Sequence, residues 1–233
     1  MGEDARFFLD EIRTEFLKYA PAYAQAEAAQ AIEKIRELQM QGLIRNGLFY
    51  ITLVDLVGST KYAAEYGNQK SSDRIQYFVT SSLNALIDAE VTNIALFVKE
   101  IGDAVLFIFQ HFPDILRWRT AFADRLDILR KFGGVPFEIR TCVHLGEVFL
   151  DGVNPLSLAV SQCFKMEKKV TAGSIVLTEG AYQVAWPTIA RAYHGFRDFG
   201  DVELDGFKSP VSLHELILGE PGELKRIVQE DLE

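Results

Sequence analysis

The stretch that most restricts this chain runs from Gly47 to Thr60, GLFYITLVDLVGST. Leu48 to Val54 is an almost unbroken run of apolar or β-prone residues, the pattern of a strand covered on both faces. A carboxylate, Asp55, stands where that strand should end, and Gly58-Ser59-Thr60 then gives a glycine turn with hydroxyls able to cap a helix. A carboxylate at a strand end beside a helix N-terminus can hold a hard cation while backbone N–H groups hold phosphate. Taken alone, the same stretch also reads as an edge aspartate that caps the next helix.

The rest of the chain repeats this mixture of strand and helix. Residues 4–19 place Phe8, Ile12, Phe16 and Tyr19 on one helical face, and after Pro21 a second amphipathic helix covers residues 22–41. A short helix from Thr60 to Tyr66 ends at Gly67, and a longer one covers residues 70–89. A hairpin follows, with arms Ile94–Lys99 and Ala104–Phe109 joined by Glu100-Ile101-Gly102-Asp103. The spacing predicts a helix over 113–131, a strand over 137–144 that turns back at Gly146, and a helix from Pro155 to Lys168. A strand over 174–178, a helix over 179–186 and a hairpin from Phe199 to Leu218 complete the order. This order predicts an α+β fold, a ferredoxin-like split βαβ sheet with helices on one face, rather than a doubly wound parallel sheet. The expected organisation is an N-terminal helical segment (1–45), one main domain (46–218) with a C-terminal hairpin, and a charged tail (219–233).

Charge and cysteine content narrow the partners. A net charge of −9 argues against nucleic acid and against an anionic membrane surface. No apolar run is long enough to span a bilayer. The two cysteines, Cys142 and Cys163, form no CxxC motif, which suits a reducing, cytoplasmic setting. The four histidines are too scattered for a zinc site. Tyr50 could line a base pocket or serve as a sheet residue.

A second carboxylate, Asp103, falls in the hairpin turn, a place comparable to that of Asp55. If the two strands are neighbours, the side chains can share two divalent ions, which activate an attacking oxygen and stabilise a leaving phosphate. Lys99 lies four residues before Asp103 on the same hairpin.

Four segments in one order, VDLVGST (54–60), KEIGDAVLFIF (99–109), RTCVHLGEV (140–148) and GSIVLTEGA (173–181), resemble the class III nucleotidyl cyclase catalytic domain. The resemblance covers about residues 47–217. It implies Asp55 and Asp103 as metal ligands, with the backbone carbonyl of Leu56 beside them and two Mg²⁺ or Mn²⁺ ions per site. It implies that Val57, Gly58, Ser59 and Thr60 cradle the β- and γ-phosphates. It also implies a head-to-tail homodimer in which one subunit supplies the metals and its partner the base and ribose contacts. The family's transition-state arginine falls on Lys165 and its ribose-orienting asparagine on Ser161; Lys165 keeps the charge without the bidentate fork. The base-reading lysine matches Lys99, its partner aspartate matches Asn154, and Lys208 is the candidate for the triphosphate lysine.

Those departures argue against a standard adenylyl cyclase. Lys99 with the amide of Asn154 suits uracil, lysine meeting a carbonyl and the amide oxygen accepting from N3–H, and a flipped amide suits cytosine. The small stand-alone form is similar to the pyrimidine cyclases of the bacterial Pycsar antiphage system. That resemblance implies UTP, then CTP, as substrate and a cyclic nucleotide messenger read by a separate effector. An adenylyl cyclase with relaxed contacts and a catalytically degenerate nucleotide-binding regulator are the rival readings.

Overall fold

The long apolar strand sits at the centre of the sheet, as a run without polar alternation requires. In the computed structural model, residues 46–91, 95–134, 136–151, 154–191, 195–205 and 207–217 are described. The helices expected at 4–19 and 22–41 and the tail from 219 lie outside them. The elements are β1 (Asn46–Leu56), α1 (Ser59–Tyr66), α2 (Asn68–Asp88), β2 (Ala95–Ile101), β3 (Ala104–Phe109), α3 (Phe112–Gly133), β4 (Ile139–Asp151), β5 (Asn154–Leu156), α4 (Leu158–Glu167), β6 (Ile175–Thr178), α5 (Glu179–Arg191), β7 (Gly195–Val202) and β8 (Val211–Ile217). One mixed sheet runs in the order β2-β3-β1-β4-β6-β8-β7, with β5 added on β4. β1 lies antiparallel to both β3 and β4, and β4 pairs parallel with β6.

The two faces of β1 enter different cores. Tyr50, Val54 and Leu56 pack with Phe78 of α2, Trp118 of α3 and Ala181 of α5. Phe49, Ile51 and Leu53 pack with Ala159, Cys163 and Met166 of α4. The helices therefore cover both faces rather than one. α4 takes the second face because its apolar residues recur at helical spacing along one stripe. Cys142 and Cys163 are both buried and free. Among the described residues no helix is long and apolar enough to cross a membrane.

Three local expectations change. β4 runs straight through Gly146 instead of turning there. That glycine faces Phe49 across the strands, and a Cβ on it would meet Ala159 Cβ at 2.4 Å, so it permits close approach of α4 to the sheet. Residues 154–156 form β5 rather than the start of α4, which begins after Ser157, whose hydroxyl accepts from Ala159 N. α5 continues through Pro187 to Arg191 because Ala181, Ala185 and Ile189 keep one buried stripe across the proline.

Candidate active site

Strand pairing brings the two aspartates to one end of the sheet. Asp55 lies opposite Ala104, and Leu56 N donates to the carbonyl of Asp103 at 3.0 Å. Asp55 is 8% exposed and Asp103 half-buried. Asp55 shares the sheet face of Leu53, so its carboxylate lies on the side covered by α4.

The floor of this region holds residues that the sequence patterns do not single out. Arg140 stands directly opposite Asp55 across β1 and β4. Its Nε donates to Asp55 Oδ2 at 2.9 Å, and its Nη2 lies 2.8 Å from the same oxygen and also pairs with Glu167 at the end of α4. Two carboxylates thus share one guanidinium. Burial pushes the Asp55 carboxyl above its ordinary range; Arg140 opposes the rise and the charge of Asp103 adds to it. Glu167 is raised by burial and by Asp55, again against Arg140. The field at this strand end is short of positive charge.

The turn after β1 leads straight into a helix N-terminus, where backbone amides can meet an anion. Gly58 is the N-cap of α1 at φ 76°, a left-handed conformation that favours glycine. No side chain caps the helix, so its first amides keep free N–H groups. The hydroxyl of Ser59, expected as a cap, instead donates to the Leu56 carbonyl at 2.8 Å, because Ser59 is buried beneath the turn. Arg74, 4% exposed on α2, donates to the carbonyls of Val57 (3.1 Å) and Pro136 (2.9 Å) and stacks over Tyr62. It fixes the turn from behind.

These residues fit a hard cation in part of its shell. Asp55 and Asp103 supply carboxylate oxygens, and the Leu56 carbonyl keeps a second lone pair beyond Ser59. Among the described residues no group of three or more His, Cys, Asp or Glu forms a complete cation cage. Two carboxylates with the remaining positions left to water and phosphate oxygen is how Mg²⁺ is usually bound.

The other sequence candidates are distributed as follows. Lys99 stands on β2 opposite Leu106, just after a register shift, and Asn154 opens β5 opposite Asp151. Cα atoms of β2 and β5 come within 8 Å of one another. Ser161 is exposed and Lys165 half-buried on α4, one turn apart, on the side away from Ala159 and Cys163. Lys208 is exposed in the β7–β8 connection. Tyr50 joins none of them. It is 5% exposed on the opposite sheet face, against Phe112, and five residues of strand, about 17 Å, separate it from Asp55.

No protein-family model matches the chain, and no curated protein matches it. Solved structures do. The adenylyl cyclase CyaB from P. aeruginosa superposes with a TM-score of 0.59 at 15% identity, covering 76% of this chain and 98% of that one. The guanylate cyclase domain of RhGC from Catenaria anguillulae, in complex with GTP, gives 0.59 at 16% identity over 76% and 100%. An adenylate/guanylate cyclase/hydrolase from Silicibacter pomeroyi gives 0.59 at 18% identity over 75% and 98%. The fold is that of the class III nucleotidyl cyclase catalytic domain. Its α+β order and split sheet are those the sequence pattern predicts.

Proposed function

We propose that this chain is a metal-dependent nucleotidyl cyclase that converts a nucleoside triphosphate, UTP first and CTP next, into a 3′,5′-cyclic monophosphate and pyrophosphate. The observation that carries this reading is the pair Asp55 and Asp103 on adjoining strand ends, beside the uncapped N-terminus of α1.

Asp55, Asp103 and the Leu56 carbonyl would hold Mg²⁺ or Mn²⁺. Bound there, such ions lower the pKa of the ribose 3′-hydroxyl and offset triphosphate charge. The amides of Gly58, Ser59 and Thr60 hold the β- and γ-phosphates, with the turn kept in place by Arg74; the Val57 amide, expected among them, is already spent on the Glu138 carbonyl at 2.8 Å. Arg140 adds a guanidinium suited to phosphate oxygens at the same strand end. The 3′-oxygen attacks the α-phosphorus, the bond to the β-phosphate oxygen breaks, pyrophosphate departs and the hydroxyl proton passes to solvent. Lys99 and Asn154 read the pyrimidine. Ser161 and Lys165, on the outer side of α4, serve the site of a second copy in a homodimer, where Lys165 steadies developing negative charge. The product is a messenger for a separate cyclic-nucleotide-binding effector, as in Pycsar defence.

Incubation with each of the four ribonucleoside triphosphates and Mn²⁺, read by product mass, tests this. Cyclic UMP as the leading product is expected. A cyclic AMP product would instead make the chain an adenylyl cyclase. The second reading, a catalytically silent nucleotide-binding regulator, is favoured by the ion pairs that already tie Arg140 to Asp55 and Glu167. Nucleotide binding without any cyclic product would establish it.

A further inference from the structure

On the other face of the sheet, α3 carries a charged side chain that the cyclase chemistry leaves unused. Arg119 is only 8% exposed, and among the described residues nothing forms a hydrogen bond or ion pair with it; its Nε is enclosed and unpartnered. Burial lowers its pKa to about 10, so it remains cationic at neutral pH. The terminal nitrogens of the guanidinium are not enclosed in the same way, and they are the donors that a ligand can reach.

Beside it lies a cavity of about 230 Å³, lined by Arg119, Ala123, Leu126, Asp127, Glu138 and Ile139 among others. Arg119, Ala123, Leu126 and Asp127 recur along one stripe of α3. Gly173, whose N–H donates to the carbonyl of Ile139 at 2.8 Å, closes another side. The volume is below the roughly 300–1,000 Å³ of ordinary ligand pockets, which restricts the occupant to a small molecule. Asp127 does not neutralise Arg119: its carboxylate pairs with Arg130 at 3.0 Å, and both side chains are about half exposed.

We propose that this cavity is a binding site for a small aliphatic monocarboxylate, whose carboxylate pairs with Arg119 and whose alkyl part lies against Ala123, Leu126 and Ile139. The guanidinium fork matches a carboxylate in two parallel hydrogen bonds. The carboxylates of Asp127 and Glu138 in the lining disfavour a doubly charged phosphate and admit a single negative charge. The occupant lies next to Ile139, the neighbour of Arg140, and across the sheet from Asp55.

Calorimetric titration of the full chain with sodium propionate, against sodium chloride and sodium phosphate at equal ionic strength, tests the assignment. Saturable propionate binding is expected, weakened about tenfold or more by Arg119→Met. Ala123→Leu keeps the charge and fills the space, so it is expected to weaken binding similarly, and it decides the matter if Arg119→Met does not fold. Absence of saturable propionate binding to the unaltered chain, equal binding in the variants, or tighter binding of phosphate than propionate would overturn the proposal. None of these readouts depends on cyclase activity.

Discussion

Arg140 and Asp55 face each other across β4 and β1, with Arg140 Nε 2.9 Å from Asp55 Oδ2, and the same guanidinium reaches Glu167 on α4. The pair ties the floor of the candidate site to the helix that carries Ser161 and Lys165. It also opposes, at two partly buried carboxylates, the rise in pKa that burial imposes.

Arg140→Leu removes the cation and leaves Asp55 and Glu167 without it. The expected loss of stability at pH 7.5 is less than the roughly 3–5 kcal/mol typical of breaking a fully buried pair, because Arg140 is 27% exposed. Asp55 and Glu167 already have folded-state pKa values above their ordinary ones, and the substitution raises them further. A raised carboxyl stabilises the fold at low pH and loses that contribution as pH rises through the folded value. The variant should therefore recover toward the unaltered chain as pH falls from 7.5 to 5, and added Mn²⁺ should raise its melting temperature more than that of the unaltered chain. Urea unfolding across that pH range and a Mn²⁺ thermal series check both.

Gly146→Ala forces a Cβ to within 2.4 Å of Ala159 Cβ unless α4 shifts. Overpacking of this kind costs about 1–3 kcal/mol. The double variant Gly146→Ala with Ala159→Gly should recover part of that loss, since the second change removes the Cβ that the first one strikes, less the cost of about 1 kcal/mol for glycine within α4. Chemical denaturation of the single and double variants measures it.

His144 on β4 lies with Nδ1 3.0 Å from Thr178 Oγ1. Burial pushes its pKa below the ordinary imidazole value, and the Gln162 side chain opposes this. The folded chain thus binds a proton at His144 less readily than the unfolded chain does. Its contribution is complete above about pH 6.5 and is lost as pH falls below that value. Between pH 7 and 5 the urea midpoint of the unaltered chain should fall further than that of His144→Gln. The carboxylates are common to both proteins, so the difference isolates the histidine.

Much of this was legible in the sequence because it is local. The unbroken apolar run of β1, the glycine turn at Gly58, and the carboxylates Asp55 and Asp103 at comparable strand ends all lie within short windows. What escaped depends on contacts between distant segments. Arg140 sits inside a recognisable strand, yet its partnership with Asp55 follows only from the register of β1 against β4. Glu167 and Arg74 look like ordinary helix residues until α4 and α2 dock. Gly146 reads as a turn by its type, but its function is to leave room for Ala159. Tyr50, an aromatic near the motif, belongs to the opposite face because strand side chains alternate.

The central claim is that Asp55 and Asp103 together hold the cations on which cyclisation depends. The most direct measurement is Mn²⁺-dependent cyclic nucleotide formation, over all four triphosphates, by the unaltered chain, Asp55→Ala and Asp103→Ala, with circular dichroism to establish that each variant is folded. The account predicts product from the unaltered chain and a loss of turnover to background in both folded variants. Retained turnover in either one would contradict it.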